Sequence, residues 1–418
     1  MVEYMKKILF TILCFFSFFT GVFALEFPET TASKVLIYDV TENKSIYEKN
    51  INEVTSIASL TKLMTVYVAV SEGNLEDKVI ITNEMLSGIS YDLHLSGLKA
   101  GQEFTLREIC YAAIIDSGAD ATNIIAYKVA GSINAFVDLM NKKASELGLT
   151  NTHFVNVHGN DQNNHYSNAN DIKKLILEAL KNNDFKDIYF KSEYKFTDTL
   201  TLSRWYTGIL ESEGVDPNNL LGGKTGFTDN AGLCFAGYYL SDEHEFLIIV
   251  LNSDGKYKEG HNIYDFAHLA KFIDDNYNYY TVVNKGDIIG AIPTFLSEKS
   301  NYLIKAPEDI KLFLPSDFNP DDIHVENTLI DSIMYNSLKG KTIGNAKFYY
   351  KDKLIGNFTL YLEEDMKIDI PAFIKYYTND TVLFICIIVL IALIFIVRYF
   401  APAKKLKKNI IEESTNSR

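Results

Sequence analysis

The sequence predicts an α+β architecture: an antiparallel sheet with packed helices and a helical lobe, followed by a small all-β domain and a C-terminal transmembrane helix. Three observations carry this expectation. Apolar residues recur with helical period at 60–68 and again from 106 to 147, runs at 232–240 and 245–252 have the composition of adjacent strands, and from about 281 to 366 short β-rich runs alternate with Gly, Pro and Asp turns. At 418 residues the chain exceeds one ordinary core, so two soluble domains plus segments outside any fold are expected.

The elements follow in order. Lys6 and Lys7 precede an apolar run from Ile8 to Ala24, and Val22 and Ala24 suit a small-residue cleavage site, so 1–24 reads as a secretory signal peptide, with an uncleaved anchor as the alternative. Residues 33–49 alternate around Thr41-Glu42-Asn43, an opening β-hairpin. Leu60, Leu63, Met64, Tyr67 and Val68 form one helical stripe, and Ser59 and Lys62 sit beside it, free to face a cleft. Three helical stripes follow between Leu106 and Leu147; Asp116-Ser117-Gly118 breaks the first from the second, and Ser132 and Gly148 suit the ends of the third. A polar loop containing Gly159, His165, Tyr166 and Ser167 leads to a helix from about Ile172 to Leu180. Lys224-Thr225-Gly226-Phe227 opens the strand region, and a helix through Ile263, Phe266, Ala267, Ala270 and Ile273 closes it.

Val382 to Val397 is unbroken apolar sequence and, with Thr381, rises roughly 26 Å as a helix. Tyr376, Tyr377, Tyr399 and Phe400 flank it at interfacial positions, and Arg398, Lys404, Lys405, Lys407 and Lys408 follow. The reading is a span at 381–400, a basic cytoplasmic tail at 401–418, and a body from about 25 to 375 outside the cytoplasm; a buried core helix is the alternative. The net charge of −14 argues against nucleic acid as a partner. Cys110 and Cys234 are the body's only cysteines, either one disulfide or two buried thiols, and a disulfide scaffold is excluded.

Chemistry is concentrated in three short motifs: Ser59-Leu60-Thr61-Lys62, Ser117-Gly118-Ala119 and Lys224-Thr225-Gly226. A serine and a lysine three apart on a helix share a face, and a hydroxyl needs such an activated neighbour to attack an acyl carbon near neutral pH. An acyl-transfer enzyme is implied. Ser-x-x-Lys also occurs at Ser192 and Ser253, but neither begins an apolar helix or precedes the companion motifs. His158 and His165 have no cysteine or carboxylate at ligand spacing, so both read as loop or core histidines; no metal or cofactor is expected. Asp120 and Asp171 read as helix-start residues that satisfy backbone N–H groups.

The stretches IASLTKLMT, DSGADAT, THFVNVHGNDQNNHYSNANDI and LGGKTGFTDNAGLC resemble serine-type D-alanyl-D-alanine carboxypeptidases, the low-molecular-weight penicillin-binding proteins of the peptidase S11 family, over about 30 to 370. The resemblance implies a β-lactamase/transpeptidase-like catalytic domain at 26–280 and a trailing β-domain at 281–366. It also implies removal of the terminal D-alanine from peptidoglycan stem peptides ending in D-Ala-D-Ala, in cell-wall biosynthesis and remodelling, and covalent inhibition by β-lactams. Ser59 would be the nucleophile and Lys62 its proton acceptor, kept neutral by burial and by the cation of Lys224. Ser117 would relay a proton to the departing D-alanine. Lys224 and the Thr225 hydroxyl would bind the terminal carboxylate, Gly226 would let backbone pass close to the ligand, and the N–H groups of Ser59 and Phe227 would hold the oxyanion. The edge strand there would pair with the peptide.

One position departs from the family pattern. The second motif usually reads Ser-x-Asn, whereas residue 119 is alanine. Either Asn123, one helical turn along, supplies the substrate-binding amide, or turnover is impaired and the protein is a penicillin-binding scaffold or sensor. D,D-endopeptidase action and a non-catalytic wall-binding role are further alternatives; a class A β-lactamase is disfavoured because His153 to Asp171 contains no glutamate for deacylation.

Overall fold

The computed structural model describes residues 26–256, 259–378 and 380–400. The segments read as signal peptide and basic tail lie outside them. The described chain divides into two compact units at about Asn278, with Pro315–Asp317 belonging to the first.

The first unit is built on a five-stranded sheet in the order β2-β1-β9-β8-β7. Its strands are β1 (Lys34–Asp39), β2 (Lys44–Lys49), β7 (Leu220–Thr228), β8 (Gly232–Ser241) and β9 (His244–Ser253). Every pairing is antiparallel. β8 and β9 are buried almost continuously, not alternately, because helices cover both faces of the sheet. Helix α8 (His261–Asn276) packs on β8 and β9, while α5 (Ala169–Ala179) packs on β1 and β9.

The helical lobe gathers around α1 (Thr61–Glu72), which touches α2 (Leu106–Ile115), α3 (Ala119–Ala130), α4 (Ile133–Glu146), α5 and α6 (Asn183–Phe190). Local chemistry sets its breaks. Thr105 and Glu108 form a capping box at the start of α2, and the Ser132 hydroxyl caps α4 by accepting the Ala135 N–H. Between α2 and α3 the chain turns sharply through Ser117, whose φ is +64°.

The short helix α6, a further one-and-a-half-turn α7 (Thr207–Ser212) and two three-residue hairpins, β3 (Lys78–Ile80) with β4 (Glu103–Thr105) and β5 (Glu193–Lys195) with β6 (Thr201–Ser203), are additions to the expected elements. Each is too short for a periodic pattern to stand out. In α6 the buried face is just Phe185, Ile188 and Tyr189, in an octamer whose other residues are polar except Phe190.

The second unit is β-rich, as expected. It contains the three-stranded sheets β12-β11-β15 and β14-β16-β17, with a core that includes Ile292, Ile304, Ile333, Ile343, Phe348 and Leu360. Their spans are β11 (Ile288–Phe295), β12 (Asn301–Lys305), β14 (Ile323–Leu329), β15 (Ile333–Met334), β16 (Thr342–Tyr350) and β17 (Lys353–Tyr361), while β10 (Tyr277–Val283) pairs with β13 (Ile310–Pro315). A short helix α9 (Ile370–Tyr377) precedes α10 (Asp380–Phe400). Among the described residues α10 is the one helix long and apolar enough to cross a membrane, and its Val382–Tyr399 window is unburied.

Candidate active site

Ser59 stands in a single 3-10 turn, Ala58–Leu60, that runs directly into α1, so the serine precedes the α-helix instead of belonging to its first turn. Ala58 has φ +46°, an uncommon conformation for a residue with a side chain, and Ser117 shares it. The turn is held from outside by the 153–171 loop. Gly159 has φ +92°, and a Cβ there would come within 1.9 Å of the Ala58 carbonyl oxygen, so only glycine lets the two backbones meet.

Lys62 lies one turn beyond Ser59 and is 1% exposed. Its Nζ donates to Ser59 Oγ at 2.8 Å and to the His158 carbonyl at 2.8 Å. Burial pushes its pKa well below the usual lysine value; the Lys224 cation acts in the same direction, and Asp120 opposes both.

Lys224 arrives on β7, the edge strand, and is also buried. Its Nζ donates to Ser117 Oγ at 2.8 Å and to the Thr225 carbonyl at 2.8 Å. Burial lowers its pKa to about 7, with Asp116 resisting that fall. Two residues on, Gly226 brings the β7 backbone against the serine turn: a Cβ there would sit 3.1 Å from the Ser59 backbone nitrogen. Ser59, Lys62, Ser117, Thr225, Gly226 and Phe227 all line one cavity of about 520 Å³, and Lys224 reaches it through Ser117.

Asn123 is not brought to this cluster. Its Nδ2 donates to the Ser87 carbonyl at 3.3 Å and it does not line the cavity, so sharing a helix face with Ala119 does not make it the missing amide. The fold applies it to a loop that crosses the same helix. Asp120 serves that loop too: its carboxylate accepts the N–H groups of Ser96, Gly97 and Leu98 at 2.9 to 3.0 Å, as well as that of Ala121 in its own helix. The Ala119 N–H bonds the His94 carbonyl at 2.9 Å.

The loop adds wall residues that no motif announced. Asp92 and His94 line the cavity, and His94 Nε2 lies 2.9 Å from Asp116 Oδ2; Trp205 and Asn262 line it as well. Asp92, His94 and Trp205 are single residues in connecting stretches and Asn262 is a lone polar residue at the start of α8, without a spacing signal that could have found any of them. His165 is a core histidine whose Nε2 meets the Thr61 hydroxyl at 2.7 Å, and His158 contributes its carbonyl, not its ring, to Lys62. Among the described residues no group of His, Cys, Asp and Glu could hold a metal ion, and Cys110 and Cys234 are both buried free thiols.

Taken together, a hydroxyl bonded to a buried, deprotonation-prone lysine faces a second hydroxyl bonded to another buried lysine across one cavity. Such an arrangement can activate an oxygen nucleophile and receive an anionic group beside it. Residues 22–255 match the family described as D-alanyl-D-alanine carboxypeptidase, and 277–367 match the C-terminal domain of penicillin-binding protein 5. The D-alanyl-D-alanine carboxypeptidase DacA of Escherichia coli (strain K12) is 28% identical over 347 residues, covering 78% of this chain and 82% of the relative. DacF of Bacillus subtilis (strain 168), also named a D-alanyl-D-alanine carboxypeptidase, is 26% identical over 363 residues, covering 82% and 87% respectively. In fold, the chain is similar to penicillin-binding protein 5 from Haemophilus influenzae, with a TM-score of 0.57 at 23% identity, over 82% of this chain and 100% of that one.

Proposed function

Because the chain belongs to the D-alanyl-D-alanine carboxypeptidase family, we propose that it removes the terminal D-alanine from peptidoglycan stem peptides with Ser59 as nucleophile and Lys62 as general base. The observation that carries this assignment is the pair of 2.8 Å contacts, Lys62 to Ser59 and Lys224 to Ser117, on one cavity. Burial favours the neutral amine at Lys62, as proton abstraction from Ser59 requires. Ser59 Oγ attacks the carbonyl of the penultimate D-alanine while Lys62 takes its proton. The N–H groups of Ser59 and Phe227 hold the oxyanion.

Collapse breaks the bond to the terminal residue, whose nitrogen receives a proton by way of Ser117. The terminal carboxylate lies against Lys224 and the Thr225 hydroxyl, and its arrival favours the charged form of a lysine otherwise poised at about 7. Water then cleaves the ester, Lys62 again accepting a proton, and releases the shortened peptide. β-Lactams acylate the same serine. Helix α10 anchors the protein in the membrane with both units on the side away from the basic tail.

The test compares wild type with Ser59→Ala for labelling by a fluorescent penicillin and for D-alanine release from a peptide ending in D-Ala-D-Ala. Both signals are expected in the wild type and neither in the variant. Labelling without release would mark a penicillin-binding protein with impaired turnover, with Ala119 as the cause; no labelling at all would refute the assignment of Ser59.

A further inference from the structure

The cavity carries one charge that the reaction as proposed does not use. Asp92 is exposed and lines the cavity beside Leu93 and His94. Its carboxylate accepts the Ser90 hydroxyl and, among the described residues, forms no ion pair. The other carboxylate on the cavity wall, Asp116, faces His94 Nε2 at 2.9 Å and, against burial, supports the charge of Lys224. Against burial and the Lys224 cation, Asp120 does the same for Lys62. Neither lysine therefore accounts for Asp92.

The neighbours of Asp92 place it along the substrate. Burial lowers the His158 pKa to about 3, Lys62 and His165 act in the same direction, and the Asp92 charge opposes that fall. The carboxylate thus lies close to the residue whose carbonyl meets Lys62. With the terminal carboxylate seated at Lys224 and Thr225, the Ser59–Lys62 side receives the acyl part of the peptide. We propose that Asp92 is a specificity-determining residue on this acyl side: its carboxylate binds a free amine on the side chain that precedes D-Ala-D-Ala. Peptides with an amine at that position are then cleaved in preference to those with a neutral or acidic side chain there. The inference rests on the proposed carboxypeptidase reaction at Ser59.

The charge of Asp92 selects the partner. A carboxylate on this wall repels the terminal carboxylate that the cavity must admit. The Ser90 hydroxyl needs only an acceptor, which a neutral amide would supply equally well. A cationic side chain on the substrate turns the repulsion into net attraction, and an ammonium brings three donors to a carboxylate that has acceptor capacity left over. Leu93, on the same wall, offers apolar surface to the methylene stem of such a side chain. Because Asp92 is exposed, the attraction is modest and weakens with salt.

The experiment uses the full-length protein in detergent and three Nα-acetylated peptides in which lysine, norleucine or glutamate precedes D-Ala-D-Ala. Norleucine keeps the carbon stem of lysine and lacks its amine. D-Alanine release is measured as kcat/KM, and each peptide is also titrated as a competitor of labelling by a fluorescent penicillin. The lysine peptide is expected to react about fivefold faster than the norleucine peptide at low ionic strength. The glutamate peptide should be slowest, and salt should narrow the differences. Asp92→Asn is expected to bring the lysine and norleucine rates together. Equal rates for these two peptides in the wild type would overturn the inference, whatever the variant does. A lysine preference that survives in an Asp92→Asn protein still labelled by penicillin would overturn the assignment to Asp92. Labelling without release from any peptide would refute hydrolysis, and the competition would then decide on Asp92 separately: lysine ahead of norleucine upholds the inference, and equal competition overturns it.

Discussion

Lys62 and Lys224 are both buried, and among the described residues neither forms an ion pair; their Nζ atoms are met by hydroxyls and carbonyls. Desolvation therefore sets their protonation, and the neighbouring charges adjust it. Lys224, at about 7, loses its charge as the pH rises through neutrality, and Asp116 is the group that opposes this loss. If Lys224 holds the substrate carboxylate, kcat/KM for a D-Ala-D-Ala peptide falls on the alkaline side above about 7 in the free enzyme. Removing the opposing carboxylate with Asp116→Asn should move that alkaline limb about one pH unit lower. A pH profile of kcat/KM for the two proteins measures this directly, and an unmoved limb would show that Lys224 is not the titrating group. Ser59, Lys62 and Lys224 were legible in the sequence because a serine three before a lysine and a Lys-Thr-Gly run are local patterns, and Ser117 because its Ser-Gly-Ala run lies in order between them. Asn262 and His94 were not: each enters the cavity through contacts that no spacing encodes.

At the scale of elements, the loop between α4 and α5 is the part that holds the Ser59 turn in place. Thr65 donates to the Val157 carbonyl at 2.6 Å, Lys62 to that of His158, and Asp161 accepts from the Thr228 hydroxyl at 2.8 Å at the end of β7. His165 anchors the loop from within. Its Nδ1 accepts the Val155 N–H at 3.1 Å, which requires the neutral tautomer with the proton on Nε2, donated to Thr61. Burial accordingly lowers its pKa to about 4. A histidine whose folded pKa lies below its unfolded value contributes stability that is complete above about 6.5 and is lost as the pH falls toward 4. Thermal unfolding should thus be easier at pH 4.5 than at pH 7, with His165 responsible for roughly 2 kcal/mol of the difference. His165→Gln should flatten the dependence; an unchanged pH slope in that variant would assign the effect elsewhere. The sequence identified this histidine as loop or core, but its attachment to Thr61, two residues from Ser59, spans 104 positions and could not be read from either segment.

At the scale of the whole molecule, the described chain consists of two units with separate cores, the second of which includes an unburied apolar helix near its end. Separate cores imply that the chemistry does not depend on α10. Deleting 380–418 should move the protein from the membrane fraction to the supernatant while leaving penicillin labelling within about twofold of the full chain. Retention in the membrane would assign attachment to another segment, and α9, which presents Ile370, Ile374, Tyr376 and Tyr377 to solvent, would be examined next. By itself the sequence determined the α+β class, the main helices and strands, and the motif residues found at the cavity, because periodicity, capping and motif spacing are properties of neighbouring residues. Tertiary structure decided which groups meet. It joined Lys224 to Ser117 across 107 positions and Lys62 to the His158 carbonyl across 96, turned Asn123 toward a loop and bound Asn262 to the Cys234 carbonyl across 28. Those outcomes depend on desolvation and on partners remote in the chain, and no local pattern carries either.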